Sequence, residues 1–76
     1  MNTILDILRG LRPEFDFSAS ENFIVDGFLD SFDVMTLIAD LEKKYSIVID
    51  GLDIVPENVK SVEAIEKLLA KYGVDK

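Results

Sequence analysis

Apolar side chains recur at three- and four-residue intervals in three stretches of this chain. Such spacing brings side chains to one face of an α-helix, so each stretch is predicted to form an amphipathic helix with one buried face. The first stripe is Ile4, Ile7, Leu8 and Leu11, the second is Val34, Leu37, Ile38, Leu41 and Tyr45, and the third is Val62, Ile65, Leu68, Leu69 and Tyr72.

Capping residues and a proline indicate where the first two helices begin and end. Asn2 or Thr3 can cap the first helix. Pro13 ends it, because the residue before a proline is pushed out of the helical conformation. Asp30 or Ser31 can cap the second helix. Since the apolar face of that helix is anchored to a core, Ser31 at its tip is expected to face outward.

The second helix is predicted to end near residues 43–45, where two lysines suit the negative end of the helix dipole. Residues 46–49 have the propensity of a strand, but the chain offers no second strand to pair with them. We therefore expect an extended linker there, with Ile47 and Ile49 facing inward. Asp50-Gly51 then supplies a turn.

Two further helical signals follow this turn. Pro56, at a first helical position, predicts a single short helical turn. Ser61 is expected to cap the last helix, which Gly73 ends. The prediction is thus an all-α fold of three main helices and one short helix, in one domain over residues 1–76.

A long connection over residues 13–30 joins the first two helices. Long ordered loops in compact domains tend to be functional or held by their own side chains. We expect this loop to be ordered, with its acidic side chains in water and its apolar side chains packed against the helices. Those apolar side chains are Phe15, Phe17, Phe23, Ile24, Phe28 and Leu29.

Composition narrows the chemistry that the chain can perform. It has neither cysteine nor histidine, so disulfides are excluded, and the commonest general base and zinc ligand are absent. No apolar run is long enough to cross a bilayer, and the early Asp6 and Arg9 argue against a signal peptide. We expect a cytoplasmic protein.

The net charge of −7 is concentrated in the middle of the chain. Residues 13–60 carry eleven acids against three lysines, and no basic residue lies between Arg12 and Lys43. This block argues against nucleic acid as a partner and favours a partner that carries Lys or Arg. It could equally be a solvated acidic surface that keeps the protein soluble.

Enzyme chemistry has little support in this sequence. Ser31 has no histidine to activate it and is not flanked by the glycines of a nucleophile elbow. Asp30 and Asp33 could act as paired carboxylates only inside a cleft, which so small a helical domain is not expected to form. A calcium loop starting at Asp26 requires an oxygen ligand at its third position and glycine at its sixth, where this chain has Phe28 and Ser31. We therefore predict no catalytic residues and no metal site.

A serine used as an attachment point is the remaining possibility. A helix N-terminus favours an added phosphodiester, because free amides and the positive end of the dipole face the new negative charge. On the residues alone, Ser31 could equally be a simple helix cap.

The sequence around Ser31 resembles that of the acyl carrier protein family. The segment 30–33, Asp-Ser-Phe-Asp, preceded by Gly-Phe-Leu at 27–29 and followed by the helix ending at 40–47, carries the resemblance. Residues 54–65 are similar to the short third helix and the start of the fourth helix of that family. The likeness spans nearly the whole chain and implies a small four-helix bundle of acyl-carrier type.

The resemblance implies that a phosphopantetheinyl transferase attaches 4′-phosphopantetheine from coenzyme A to Ser31. The chain would then carry an acyl or aminoacyl group as a thioester between a loading ligase or transferase and a downstream synthase or acyltransferase, with no catalysis of its own. Asp30 would help to place the metal of the transferase. Phe32, Asp33 and Met35 would form, with Asp30, the surface on which partners dock. We expect a monomer.

Some positions differ from the carriers of fatty-acid synthesis. Phe32, Thr36, Lys43 and Lys44 stand where those carriers commonly have leucine and acidic residues. The sequence around Ser31 is similar to that of stand-alone carriers loaded by adenylate-forming ligases, including D-alanyl carriers, or to that of carriers of specialised pathways. An unmodified acidic interaction module with the same fold is the alternative from another class.

Overall fold

Four α-helices form the regular structure of the computed structural model, which describes residues 3–74. They are α1 (Thr3–Leu11), α2 (Ser31–Tyr45), α3 (Pro56–Val59) and α4 (Val62–Lys71), with short 3₁₀ turns at Phe17–Ala19 and Gly51–Asp53. α1 packs against α2 and α4, and α3 packs against α4. The predicted all-α fold of three main helices and one short helix is confirmed. Asn2, one of the two predicted caps of α1, lies outside the described residues.

The predicted apolar stripes form the core between the helices. Their buried members are Ile4 and Leu8 of α1, Leu37, Ile38 and Leu41 of α2, and Ile65, Leu68 and Leu69 of α4. The outer members of each stripe are partly buried against this cluster. None of the helices within residues 3–74 is long and apolar enough to span a membrane.

The loop between α1 and α2 is ordered by its aromatic side chains, as predicted. Phe17 and Phe23 are buried, and their rings meet edge to face with centroids 5.0 Å apart. Phe15 and Phe28 stack nearly parallel, with centroids 4.5 Å apart. Such pairs stabilise beyond simple burial. The aromatic cluster fixes the path of the chain into the start of α2.

The segment after α2 follows the predicted extended path. Ser46 ends the helix in the left-handed conformation, with φ of 54°. Ile49 is buried and Ile47 is partly buried, whereas Val48 between them is 83% exposed. The Glu42 carboxylate accepts a hydrogen bond of 2.8 Å from the Ile49 backbone N–H. This bond ties the linker to α2.

An ion pair joins the turn after this linker to the end of α4. Lys71 Nζ lies 2.7 Å from Asp53 Oδ1, and the Tyr72 hydroxyl donates to Asp53 Oδ2. The same hydroxyl accepts a hydrogen bond of 2.9 Å from the Asp50 backbone N–H. Hydrogen bonds from Lys71 and Tyr72 hold the pKa of Asp53 below its ordinary value of 3.8.

The lowered pKa of Asp53 makes its contribution to stability depend on pH. A carboxylate with a depressed folded-state pKa stabilises the fold above its unfolded pKa, and this contribution is lost as the pH falls through the folded pKa. We expect Asp53→Asn to melt below the wild type at pH 7, and the two melting temperatures to converge in acid. Thermal melts from neutral to strongly acidic pH check this expectation.

The matched control for this comparison is Glu57→Gln, which removes one acidic charge from the exposed side of α3. We expect its melting temperature to stay close to that of the wild type at both ends of the pH range. A gap between Asp53→Asn and the wild type that stays constant into acid would contradict the assignment.

Candidate functional site

Ser31 is the first residue of α2, and Asp30 immediately before it is the N-cap. The Asp30 carboxylate accepts a hydrogen bond of 2.8 Å from the Asp33 backbone N–H. In return, the Asp33 carboxylate accepts a hydrogen bond of 3.3 Å from the Asp30 backbone N–H. This reciprocal pair is a capping box, which satisfies two backbone donors at the helix start and fixes where the helix begins.

Arg12, the residue after α1, supports this capping box from the side. Its Nε and Nη2 atoms both lie 2.9 Å from Asp33 Oδ2. Nη2 also lies 3.7 Å from Asp30 Oδ2, and Nη1 lies 3.5 Å from Glu14 Oε2. One cation therefore faces three acids of the central block, which the sequence had suggested to be without a countercharge.

These contacts favour the charged forms of Asp30 and Arg12. The backbone N–H of Asp33, together with the charge of Arg12, holds the pKa of Asp30 below its ordinary value despite the opposing effect of desolvation. The hydrogen bond to Asp33 and its negative charge raise the pKa of Arg12. A charged Asp30 carboxylate, 65% exposed, therefore stands beside Ser31.

The Ser31 hydroxyl differs from that of the other helix-starting serine. Ser61 is itself the N-cap of α4, and its hydroxyl is committed to a hydrogen bond of 3.0 Å from the Ala64 backbone N–H. At α2 the capping task falls to Asp30, and no residue within 3–74 forms a hydrogen bond with the exposed Ser31 hydroxyl. Ser31 therefore presents a free hydroxyl at the positive end of a fifteen-residue helix.

The loop before Ser31 is held in place by its own backbone. The Phe23 carbonyl accepts hydrogen bonds from the backbone N–H groups of Phe28, at 2.8 Å, and Leu29, at 3.2 Å. The Phe23 N–H donates to the Lys60 carbonyl at 2.6 Å, which ties the loop to the end of α3. Gly27, with φ of 75°, makes the tight turn that this closure requires. The chain therefore enters α2 along one defined path.

The four predicted docking residues fall into two groups. Phe32 is 78% exposed and Met35 is 62% exposed, and Asp30 is also exposed. The Asp33 side chain is only 10% exposed, and its carboxylate is engaged by Arg12 and by the Asp30 backbone. We therefore assign Asp33 to the internal support of the site and keep Asp30, Phe32 and Met35 on the outer surface.

An apolar groove of about 420 Å³ opens beside Ser31. Ser31 and Asp30 stand at its rim, α2 and the preceding loop form one wall, and the start of α3 with the residues before it forms the other. Its apolar lining consists of Ile24, Leu29, Val34, Met35, Ile54, Val55 and Pro56. The arrangement can shelter a flexible or apolar group attached at Ser31.

Within the part of the chain that the structure describes, the acidic side chains do not gather into a metal site. Among residues 3–74, no group of three or more Asp or Glu side chains is placed so that it could hold a metal ion.

The chain is similar to Aminoacyl carrier protein 2 of Bradyrhizobium diazoefficiens, with 28% identity over 71 residues, covering 90% of this chain and 80% of the relative. The resemblance to the acyl carrier protein family, expected from the segment around Ser31, is confirmed by this relative. No family model and no solved structure matches the chain.

Arg12 is the site residue that sequence reasoning missed. The available signal was its position as the last cation before a long acidic block. Spacing along the chain could not pair it with Asp33, because the two residues are 21 positions apart and meet only through the folded loop.

Proposed function

We propose that this chain is a carrier protein that bears 4′-phosphopantetheine on Ser31. The observation that carries the proposal is the free, exposed hydroxyl of Ser31 at the start of α2, where Asp30 has taken over the capping task. A serine that served only as a helix cap would be expected to use its hydroxyl as Ser61 does.

The residues around Ser31 fit such a group. The positive end of α2 favours the negative charge of a phosphodiester on the serine oxygen. The exposed Asp30 carboxylate is available to help hold the magnesium ion of a transferase. Attachment would replace the pyrophosphate bond of coenzyme A by a phosphodiester at Ser31 Oγ, with adenosine bisphosphate leaving and the serine proton passing to the transferase.

The bound group would supply a thiol, which the cysteine-free chain lacks. Cargo would be held there as a thioester, and the role of the chain would be to tether it and raise its effective concentration at successive enzymes. The groove beside Ser31 offers apolar walls to the attached arm or to an apolar cargo. No catalytic residue of the chain itself is required.

The partners that this function requires are a phosphopantetheinyl transferase, a loading ligase or transferase, and a downstream synthase or acyltransferase. Phe32 and Met35 form the exposed apolar part of the surface that we assign to docking, with Asp30 beside them. We propose that the carrier works as a monomer in the cytoplasm.

The cargo is proposed to be an acyl or aminoacyl group. One observation favours the aminoacyl class, namely that the relative from Bradyrhizobium diazoefficiens is named an aminoacyl carrier protein. Loading by an adenylate-forming ligase, as for D-alanyl carriers, is the corresponding route.

The proposal predicts that the wild-type protein gains the mass of one phosphopantetheine group when it is incubated with coenzyme A, magnesium and a broad-specificity transferase. Intact-mass measurement decides this, and a sample treated with a metal chelator is the control that should show no gain. Complete absence of a gain, under conditions that modify another carrier, would favour an unmodified interaction module that docks through its acidic and apolar surface.

A further inference from the structure

Within residues 3–74, Arg12 is the one residue whose side chain joins the end of α1 to the first turn of α2 by hydrogen bonds and ion pairs. The Arg12 backbone N–H donates to the Leu8 carbonyl at 3.0 Å, which ties this residue to the last turn of α1. From there two N–H groups of its guanidinium reach the same oxygen of Asp33, each at 2.9 Å. A charge-assisted contact of this kind is among the stronger hydrogen bonds in proteins.

The oxygen that Arg12 engages is also the oxygen that defines the start of α2. Asp33 Oδ2 accepts the hydrogen bond from the Asp30 backbone N–H, and Asp30 Oδ1 accepts the hydrogen bond from the Asp33 backbone N–H. Ser31 is held between these two residues. The position of the Ser31 backbone therefore depends on the position of the Asp33 carboxylate, which accepts the hydrogen bond from Asp30.

Loss of Arg12 would leave the Asp33 carboxylate without its cationic partner. The Asp33 side chain is only 10% exposed, and a poorly solvated carboxylate without a cationic partner is unfavourable. Rotation of that side chain toward water would relieve this cost, and it would break the hydrogen bond to the Asp30 N–H. The first turn of α2 would then lose its capping box, while the rest of the helix would stay anchored by Leu37, Ile38 and Leu41.

We propose that Arg12 is a positioning residue for the modification of Ser31, which it serves by holding Asp33 and, through Asp33, the first turn of α2. This inference rests on the proposed function of Ser31. Arg12 acts through Asp33 and the backbone of Asp30, and it does not itself touch the serine hydroxyl or the incoming group.

The test compares Arg12→Gln and Arg12→Lys with the wild type as substrates of the transferase, at a temperature where circular dichroism shows every variant folded. Lys71→Gln is the matched control, because it also removes one positive charge and one short ion pair but lies at the far end of α4. We expect Arg12→Gln to lower kcat on the order of tenfold with little change in KM, since a displaced nucleophile reacts poorly even when bound.

Arg12→Lys separates the effect of the positive charge from that of the guanidinium geometry. Arg12→Lys should fall between the wild type and Arg12→Gln, because lysine restores the charge but not the planar fork of N–H groups. Lys71→Gln should keep the wild-type kcat. Unchanged kcat and KM in folded Arg12→Gln would overturn the inference and leave Arg12 a purely structural role. A rise in KM alone would also overturn it, because Arg12 would then be a direct contact of the transferase.

Amide hydrogen exchange supplies a readout that does not need the transferase. In Arg12→Gln we expect faster exchange at the Asp33 and Val34 amides, which donate within the first turn of α2, and unchanged exchange in α4. Faster exchange throughout the chain would overturn the proposal of a local effect. A wild type that is never modified would defeat the proposed function, whereas a modified wild type with an equally modified Arg12→Gln would defeat this inference alone.

Discussion

Replacing Leu37 by alanine is expected to lower the free energy of unfolding by about 2–5 kcal/mol, the usual cost of deleting a buried leucine side chain. Leu37 is fully buried on the inner face of α2, the helix that carries Ser31 at its tip. Because small domains are stable by only about 5–15 kcal/mol, this is a large part of the total. Urea denaturation followed by circular dichroism measures the change.

Val48→Ala is the control for this comparison, since Val48 is 83% exposed in the linker after α2. Its free energy of unfolding should stay within about 0.5 kcal/mol of the wild type, as is usual for surface substitutions. An unchanged denaturation midpoint in Leu37→Ala would mean that α2 turns a different face to the core, and the outward position of Ser31 would lose its support.

The two helix-starting serines are expected to give opposite results when each is replaced by alanine. Ser31→Ala should abolish the gain of phosphopantetheine while changing stability by no more than about 0.5 kcal/mol, because its hydroxyl caps nothing. Ser61→Ala should keep the full gain but lose about 0.5–2 kcal/mol of stability, because it removes the cap of α4. Intact mass and urea denaturation of both variants provide the two measurements.

The Ser31→Ala and Ser61→Ala results test two separate claims, the attachment site and the cap of α4. A Ser31→Ala protein that still gains the full mass would remove Ser31 as the attachment site. A Ser61→Ala protein that is as stable as the wild type would show that the cap of α4 contributes little, and the contrast drawn between the two hydroxyls would fail.

The helices could be predicted from the sequence because their signals are local. The apolar spacing of α1, α2 and α4, the stop at Pro13, the cap at Ser61 and the end at Gly73 all lie within a few residues of the elements that they define. The aromatic side chains of the first loop also indicated burial by their type alone. Local patterns were thus sufficient to predict the fold class and the outward position of Ser31.

The support of the site could not be predicted in the same way. Asp30 and Asp33 look alike in the sequence, yet one carboxylate is exposed and the other is drawn inward by Arg12. That difference arises from a contact between residues 21 positions apart, which depends on how the intervening loop folds. The groove also needed tertiary structure, because Ile54 and Val55 line it together with residues of α2 only in the folded chain.

The missed contact also changes how the acidic block should be understood. The sequence places no basic residue between Arg12 and Lys43, but Arg12 itself faces Glu14, Asp30 and Asp33 together. The negative charge of these three acids beside the candidate site is therefore partly neutralised from within the chain. The exposed surface offered beside Ser31 is Asp30 with two apolar side chains, Phe32 and Met35.

The most direct measurement for the whole account is fragment mass mapping of the wild-type protein after incubation with the transferase, coenzyme A and magnesium. We predict that every modified molecule carries its added group on the peptide fragment that contains Ser31. An added group on Ser18, Ser20, Ser46 or Ser61, or no added group at all, would contradict it.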